Sequence, residues 1–179
     1  MNRGFLYGDG FFETIRVING TIPLMQTHED RINDAFEIYQ LEPTFLVDEE
    51  FLRSIALSYK NDGIVRINFF RDGAGKYLPL SNEVAFDHSF TEYSQPFFLP
   101  TSLDLEADLK KAPIDKGRIA IYPEPKPIAT WMTVKSLSSI YYVIAAKYKE
   151  KQGLDYLLIQ NTEGHICEEL ISNIMTKKG

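Results

Sequence analysis

The sequence predicts a mixed α/β chain, of the α+β kind, in two domains, and three observations predict it. Short runs that alternate apolar with polar residues recur among stretches of helical spacing. Both patterns occur in each half of the chain. Between the halves, Asp104 to Lys116 is charged, nearly free of aromatics and followed by Gly117, which reads as a linker. The domains drawn from this are a small N-terminal α/β domain over 1–107, a linker over 108–116 and the start of a larger domain over 117–179.

The first domain opens with sheet. Phe11 to Val17 and Thr21 to Met25 flank Asn19-Gly20, the residues of a two-residue hairpin turn. Thr27 is placed to cap a helix that begins near His28 and runs to Gln40, with Ile32, Ala35, Phe36 and Tyr39 on one face. Pro43 and Thr44 interrupt it. A second helix over Asp48 to Tyr59 follows from the spacing of Phe51, Leu52, Ile55 and Ala56, and Asn61-Asp62-Gly63 ends it. Ile64 to Phe70 alternates as a strand, Asp72 to Gly75 is a turn, and Glu83 to Phe98 reads as strand broken by a loop. In the second domain Arg118 to Tyr122 is a strand, and three prolines then make an extended loop. Ser138 caps a helix through Tyr141, Ile144, Ala145 and Tyr148 to a stop at Gly153. Leu154 to Gln160 and His165 to Cys167 form a second hairpin about Asn161 to Gly164.

Composition narrows the function classes. A chain of 179 residues with 44% apolar and 13% aromatic content carries enough material for a real core. A net charge of −6 gives an averaged field that repels nucleic acid and anionic lipid. The single cysteine, Cys167, excludes an internal disulfide framework, and neither a signal peptide nor an apolar run of about 18 residues is present. A cytoplasmic enzyme that binds neither nucleic acid nor membrane fits best.

Few residues announce chemistry on their own. Gly8-Asp9-Gly10 lacks the following Gly-Lys-Ser/Thr of a phosphate loop and reads as a tight turn. His28, His88 and His165 show no metal-ligand spacing. Cys167 and His165 lack the third orienting group that a nucleophilic pair needs. Lys135 ends the apolar stretch Ala129 to Val134, so an inward amine of lowered pKa is conceivable there, although spacing alone favours a charge at a strand edge. Glu168 and Glu169 pose a similar alternative: both are solvated hairpin residues, or one of them points inward.

Four segments, taken in order, resemble one family, the fold type IV (class IV) pyridoxal-phosphate enzymes, which include branched-chain and D-amino-acid aminotransferases and aminodeoxychorismate lyases. GFLYGDGFFETIRV from Gly4 resembles the family's opening strand, and THEDRI from Thr27 its helix with a phosphate-binding arginine. Lys135-Ser136-Leu137 resembles the Schiff-base lysine motif. EELISNI from Glu168 resembles the segment in which a glutamate precedes an asparagine by five residues. The resemblance implies a two-domain fold with pyridoxal 5′-phosphate between the domains and a homodimer. It also implies roles: Lys135 as the Schiff-base lysine and proton shuttle, Arg31 on the phosphate, Glu168 at the pyridine nitrogen with Asn173 beside the cofactor, and Tyr7 and Phe12 lining the substrate side. Arg66 and Arg71 match two positions for a substrate-carboxylate arginine. Glu169, on the other side of the strand, is expected to be dispensable.

The implied activity is transamination between an amino acid, branched-chain-like or D, and a 2-oxo acid. A lyase that converts aminodeoxychorismate to 4-aminobenzoate and pyruvate is the alternative, and a non-catalytic binding protein on the same fold is a third. Ile140, five residues after Lys135, stands where branched-chain enzymes place a tyrosine and suits the lyase and D-amino-acid branches. The family's C-terminal segment, which completes the phosphate cup, has no counterpart here, so the sequence reads as cut short.

Overall fold

The computed structural model describes residues 2–93, 117–174 and 176, which form two units. Of these residues, one unit comprises 2–93 with Ala129–Ser139, and the other 117–128 with 140–174 and 176. The predicted linker 108–116 and the distal part of the predicted strand 83–98 lie outside the described residues.

The first unit is an antiparallel sheet with helices on one face. Its strands β1 (Gly10–Val17), β2 (Gly63–Arg71) and β3 (Val84–Glu92) lie in the order β1-β2-β3, with Phe11 opposite Phe69 and Asn68 opposite Asp87. Alternation sends Phe11, Glu13, Ile15 and Val17 of β1 to the buried side. Helix α2 (Met25–Tyr39) covers that side with Ile32, Ala35 and Phe36, and helix α3 (Glu49–Ala56) with Leu52, Ile55 and Ala56. The rings of Phe11, Phe36 and Phe69 meet with centroids 5.2–5.3 Å apart, each such pair contributing about 0.5–1.5 kcal/mol beyond area burial. Asp48 caps α3 by accepting from the Phe51 N–H at 2.9 Å, as its place before an acidic first turn demands.

Three local expectations are corrected. A short helix, α1 (Arg3–Tyr7), precedes β1, capped by Asn2 and closed by Gly8 at φ +67°. Its single turn is too short to show a helical period. The predicted first hairpin shrinks to one bridge, Ile18 with Thr21 about the Asn19-Gly20 turn, because β1 pairs along its length with β2 instead. Finally, α2 starts at Met25 rather than near His28. Leu24 at φ 57° redirects the chain after Pro23, Met25 packs on the core, and Thr27 sits inside the helix with no capping role.

The second unit is built on strands β4 (Ile119–Ile121), β5 (Tyr156–Gln160) and β6 (Ile166–Glu169). β5 is central, parallel to β4 and antiparallel to β6. Helix α4 (Ile140–Gln152) packs Ala145, Tyr141 and Tyr148 with Tyr122, Leu157 and Ile159. Ile144, expected on the same buried face, is half exposed.

Candidate active site

In the first unit, Lys135 is carried by an extended segment laid along β1. The Phe12 N–H donates to the Lys135 carbonyl at 2.8 Å, and the Leu137 N–H donates to the Gly10 carbonyl at 3.0 Å. This pairing needs a bare backbone at two points. Gly8 adopts a left-handed φ of +67° and lies where a Cβ would strike Ser138, and at Gly10 a Cβ would strike the Phe69 carbonyl and Leu137. The Gly8-Asp9-Gly10 turn thus makes room for the lysine segment.

A cleft of about 140 Å³ opens beside it, lined by Phe11, Phe12, Glu13, Arg31, Ala35 and Lys135 among others. Glu13 is the residue that sequence reasoning missed. It is only 3% exposed, yet it carries a carboxylate on the core side of β1. His28 Nδ1 lies 2.8 Å from its Oε1 and Arg31 Nη2 3.1 Å from its Oε2. His28, Arg31 and Ala35 share the inward helix face, which is how one strand carboxylate meets two helix cations or donors. The signal was in the alternation: in FFETIRV the glutamate occupies the inward phase.

Lys135 is exposed overall, but partial burial of its amine lowers its pKa from the ordinary lysine value. Glu13 works against that shift, while Arg31 and Arg66 reinforce it. Among the described residues no ion pair engages its ammonium. Phe12 sits between the two cations, its ring centroid 3.5 Å from the Arg66 guanidinium carbon and 5.7 Å from Lys135 Nζ. Arg66 Nε donates to Asn68 Oδ1 at 2.8 Å, and Asn68 donates to Asp87 at 2.6 Å, so the arginine is braced across β2 and β3.

Arg71 has a different place. It is 6% exposed, and it donates to Asp9, to the carbonyls of Tyr39 and Gln40, and to Asn82. Asp9 also receives Arg3 Nε at 2.8 Å, so a buried Arg3–Asp9–Arg71 network ties α1, β2 and the end of α2. Tyr7 faces Arg3 and Tyr77 in this region.

In the second unit Glu168 stands on β6 opposite Ile159. Its Oε1 accepts from Lys126 Nζ and from the Tyr142 hydroxyl, each at 2.9 Å. Burial alone would lower the Lys126 pKa, but the bonds to Tyr142 and Glu168 and the glutamate charge raise it above the ordinary value. Glu169 is not the dispensable neighbour expected. It is 5% exposed, and its carboxylate accepts from the N–H groups of Leu157, Ile171 and Ser172 and from the Ser172 hydroxyl. Burial pushes its pKa up, and those donors more than reverse the shift, leaving it lowered. Asn173 lies exposed in the segment after β6. Among the described residues no group of His, Cys, Asp and Glu is arranged to hold a metal ion, and no helix is long and apolar enough to cross a membrane.

The first unit thus sets a partly buried amine of lowered basicity near two guanidinium groups, on a two-unit α/β chain. The amino-transferase class IV family pattern matches residues 10–179, and the chain belongs to that family. Aminodeoxychorismate lyase of Bacillus subtilis is 28% identical over 99% of this chain and 58% of its own length. Two solved structures share the fold. Branched-chain aminotransferase of Thermoproteus uzoniensis, with norvaline, has a TM-score of 0.70 at 17% identity, over 94% of this chain and 56% of its own. An aminotransferase of Brucella abortus bound to its cofactor, pyridoxal phosphate, also scores 0.70 at 17% identity, over 96% and 59%. The chain therefore spans a little under three fifths of the length of these relatives. Pyridoxal phosphate is the family's cofactor.

Proposed function

We propose that this chain carries the reactive lysine and part of the anion-binding groups of a pyridoxal-phosphate enzyme that moves the amino group of a carboxylate-bearing substrate. The observation that carries this reading is the cleft that Lys135 and Arg31 line, with Arg66 stacked on Phe12 of the same lining and close enough to lower the basicity of the amine, which is partly buried and has no ion pair among the described residues. Those donors fit the cofactor, whose aldehyde needs a free amine and whose phosphate needs a guanidinium. When bound, it supplies an electron sink for charge developing at the substrate Cα.

Lys135 is the residue that would hold the group covalently through Nζ, and Arg31 the one that would pair with its phosphate. The same nitrogen is the one placed to take the substrate α-proton, and partial burial makes it less basic than an ordinary lysine. Arg66, stacked on Phe12 and braced by Asn68, is the carboxylate ligand; Arg71 is already committed to Asp9 and to backbone carbonyls. Glu168, in the second unit, is the residue that would partner the cofactor's ring nitrogen. Its negative charge favours a protonated ring.

Transamination between an amino acid and a 2-oxo acid is the first reading of the overall reaction. The Bacillus subtilis relative favours a second, release of 4-aminobenzoate and pyruvate from aminodeoxychorismate, with which the aliphatic Ile140 is compatible. Borohydride reduction of the protein equilibrated with pyridoxal phosphate, followed by peptide mapping, is expected to label Lys135. Label on Lys126 or Lys147, or no label, overturns the assignment. Aromatic product from aminodeoxychorismate, with no exchange of amino groups among amino acids and 2-oxo acids, selects the lyase.

A further inference from the structure

We propose that Lys126 and Tyr142 are positioning residues that clamp one oxygen of Glu168, so that its other oxygen is presented to the ring nitrogen of the cofactor. This rests on the assignment of Glu168 just made and concerns two residues to which nothing above gives a role.

Three elements of the second unit converge on this carboxylate. Lys126 comes from the proline-rich loop after β4, Tyr142 from the first turn of α4, and Glu168 from β6. The loop is itself fixed: the Lys126 N–H donates to the Gln160 carbonyl at 2.8 Å, and the Thr162 N–H donates to the Lys126 carbonyl at 3.2 Å. The ammonium is therefore held by backbone pairing at the end of β5 rather than by a free surface stem, and its side chain is only 14% exposed. Its Nζ also lies 5.5 Å from the Tyr142 ring centroid, so lysine and tyrosine orient each other as well as the glutamate.

Both donors end on Oε1. A carboxylate has lone pairs on two oxygens, and one that is to receive a ring N–H must keep an oxygen available and hold it in line. Among the described residues Glu168 Oε2 has no hydrogen-bond donor, whereas both oxygens of the adjacent Glu169 accept from backbone N–H groups. The pair of glutamates is thereby divided: Glu169 is consumed by β5 and the loop after β6, and Glu168 is tethered at one end with the other open. A freely rotating, solvated glutamate would present either oxygen in many orientations and lose part of the bond's strength to ordering. The clamp removes that freedom in advance.

The test compares binding of pyridoxal phosphate with binding of its 1-deaza analogue, in which carbon replaces the ring nitrogen and no N–H exists for Glu168 to accept. The readout is the ratio of the two dissociation constants, so activity is not needed. The parent protein is expected to prefer pyridoxal phosphate by about tenfold or more, the range for a hydrogen bond to a charged group, and Glu168→Gln to abolish the preference. Lys126→Met and Tyr142→Phe are each expected to reduce it by about threefold or more, with Lys126→Arg restoring it and thermal melts confirming folded protein. Loss of the preference at Glu168→Gln with no change at Lys126→Met and Tyr142→Phe overturns the clamp alone. An increased preference at Lys126→Met also overturns it, since the ammonium would then compete with the ring for the carboxylate. No preference in the parent, or a preference that survives Glu168→Gln, overturns the assignment of Glu168 and the clamp with it.

Discussion

Adjacent glutamates on β6 have different partners, and single substitutions should separate them. Glu169→Gln leaves at least one of four donors facing an amide N–H₂ in a buried site, and a loss of about 2–4 kcal/mol is expected in denaturant melts. Glu168→Gln, at a partly open carboxylate, is expected to cost less than about 1 kcal/mol. The pH dependence has a definite sign. Because the folded pKa of Glu169 is lowered, its contribution is fully present above the ordinary glutamate value of 4.5 and is lost as pH falls below that toward the folded value. The difference in stability between parent and Glu169→Gln should therefore shrink on acidification through that window. Lys135 runs the other way. A lysine whose pKa falls on folding opposes the fold while it is protonated, so Lys135→Met is expected to raise the melting temperature at pH 7 by about 2 °C. That gain should vanish above the ordinary lysine value of 10.5. A fall in melting temperature at pH 7 would show that the amine is stabilising where it lies.

The elements around the site explain which parts of it were legible in sequence. Strands β1 and β2 alternate cleanly because one face is covered by helices, and α2 and α3 show their period for the same reason. Lys135 and Arg31 were legible only through short motifs, since neither strand nor helix period distinguishes a reactive side chain from a solvated one. Glu13 and Asp9 were missed because their meaning lies in burial. Asp9 sits between Arg3 and Arg71, 2% and 7% exposed, so Asp9→Asn leaves two buried guanidinium groups short of a counter-charge. A loss of about 3 kcal/mol is expected by chemical denaturation. Gly8→Ala tests the turn beneath the lysine segment: with φ at +67° and Ser138 in the way, it should cost about 1–3 kcal/mol. It should also weaken pyridoxal phosphate binding through Lys135, whereas Gly20→Ala, where nothing lies within 4 Å, should spare binding.

At the scale of the molecule, the fold class and the order of elements were readable from composition and period, but the unit that holds Lys135 was not. Residues 129–139 belong to the first unit although they follow the whole of β4 in the chain. No local pattern reports such a return, because it is decided by which sheet edge is open. Binding should consolidate this arrangement: pyridoxal phosphate at about 100 times its dissociation constant is expected to add about 2.7 kcal/mol to stability. Lys135→Ala and Arg31→Gln should each reduce that increment. An increment unchanged in both variants would place the cofactor elsewhere.

The strand-like segment that bridges Ser136 to Phe11 also sets a timetable. During synthesis β1 leaves the ribosome long before its second neighbour exists, so a chain that ends at residue 128 has β1, β2 and β3 but leaves the outer edge of β1 unpaired. That edge is rich in Phe11, Phe12, Thr14 and Ile15, the kind of strand that recruits other chains when left open. Closing it draws together residues far apart in sequence, the slow class of contact in folding kinetics. A fragment ending at residue 128 should scatter light in a concentration-dependent way under conditions where the 179-residue chain stays clear. Added peptide spanning 129–139 should suppress the scattering. Lys135 thus rides on the stretch of chain that covers the start of the β1 edge.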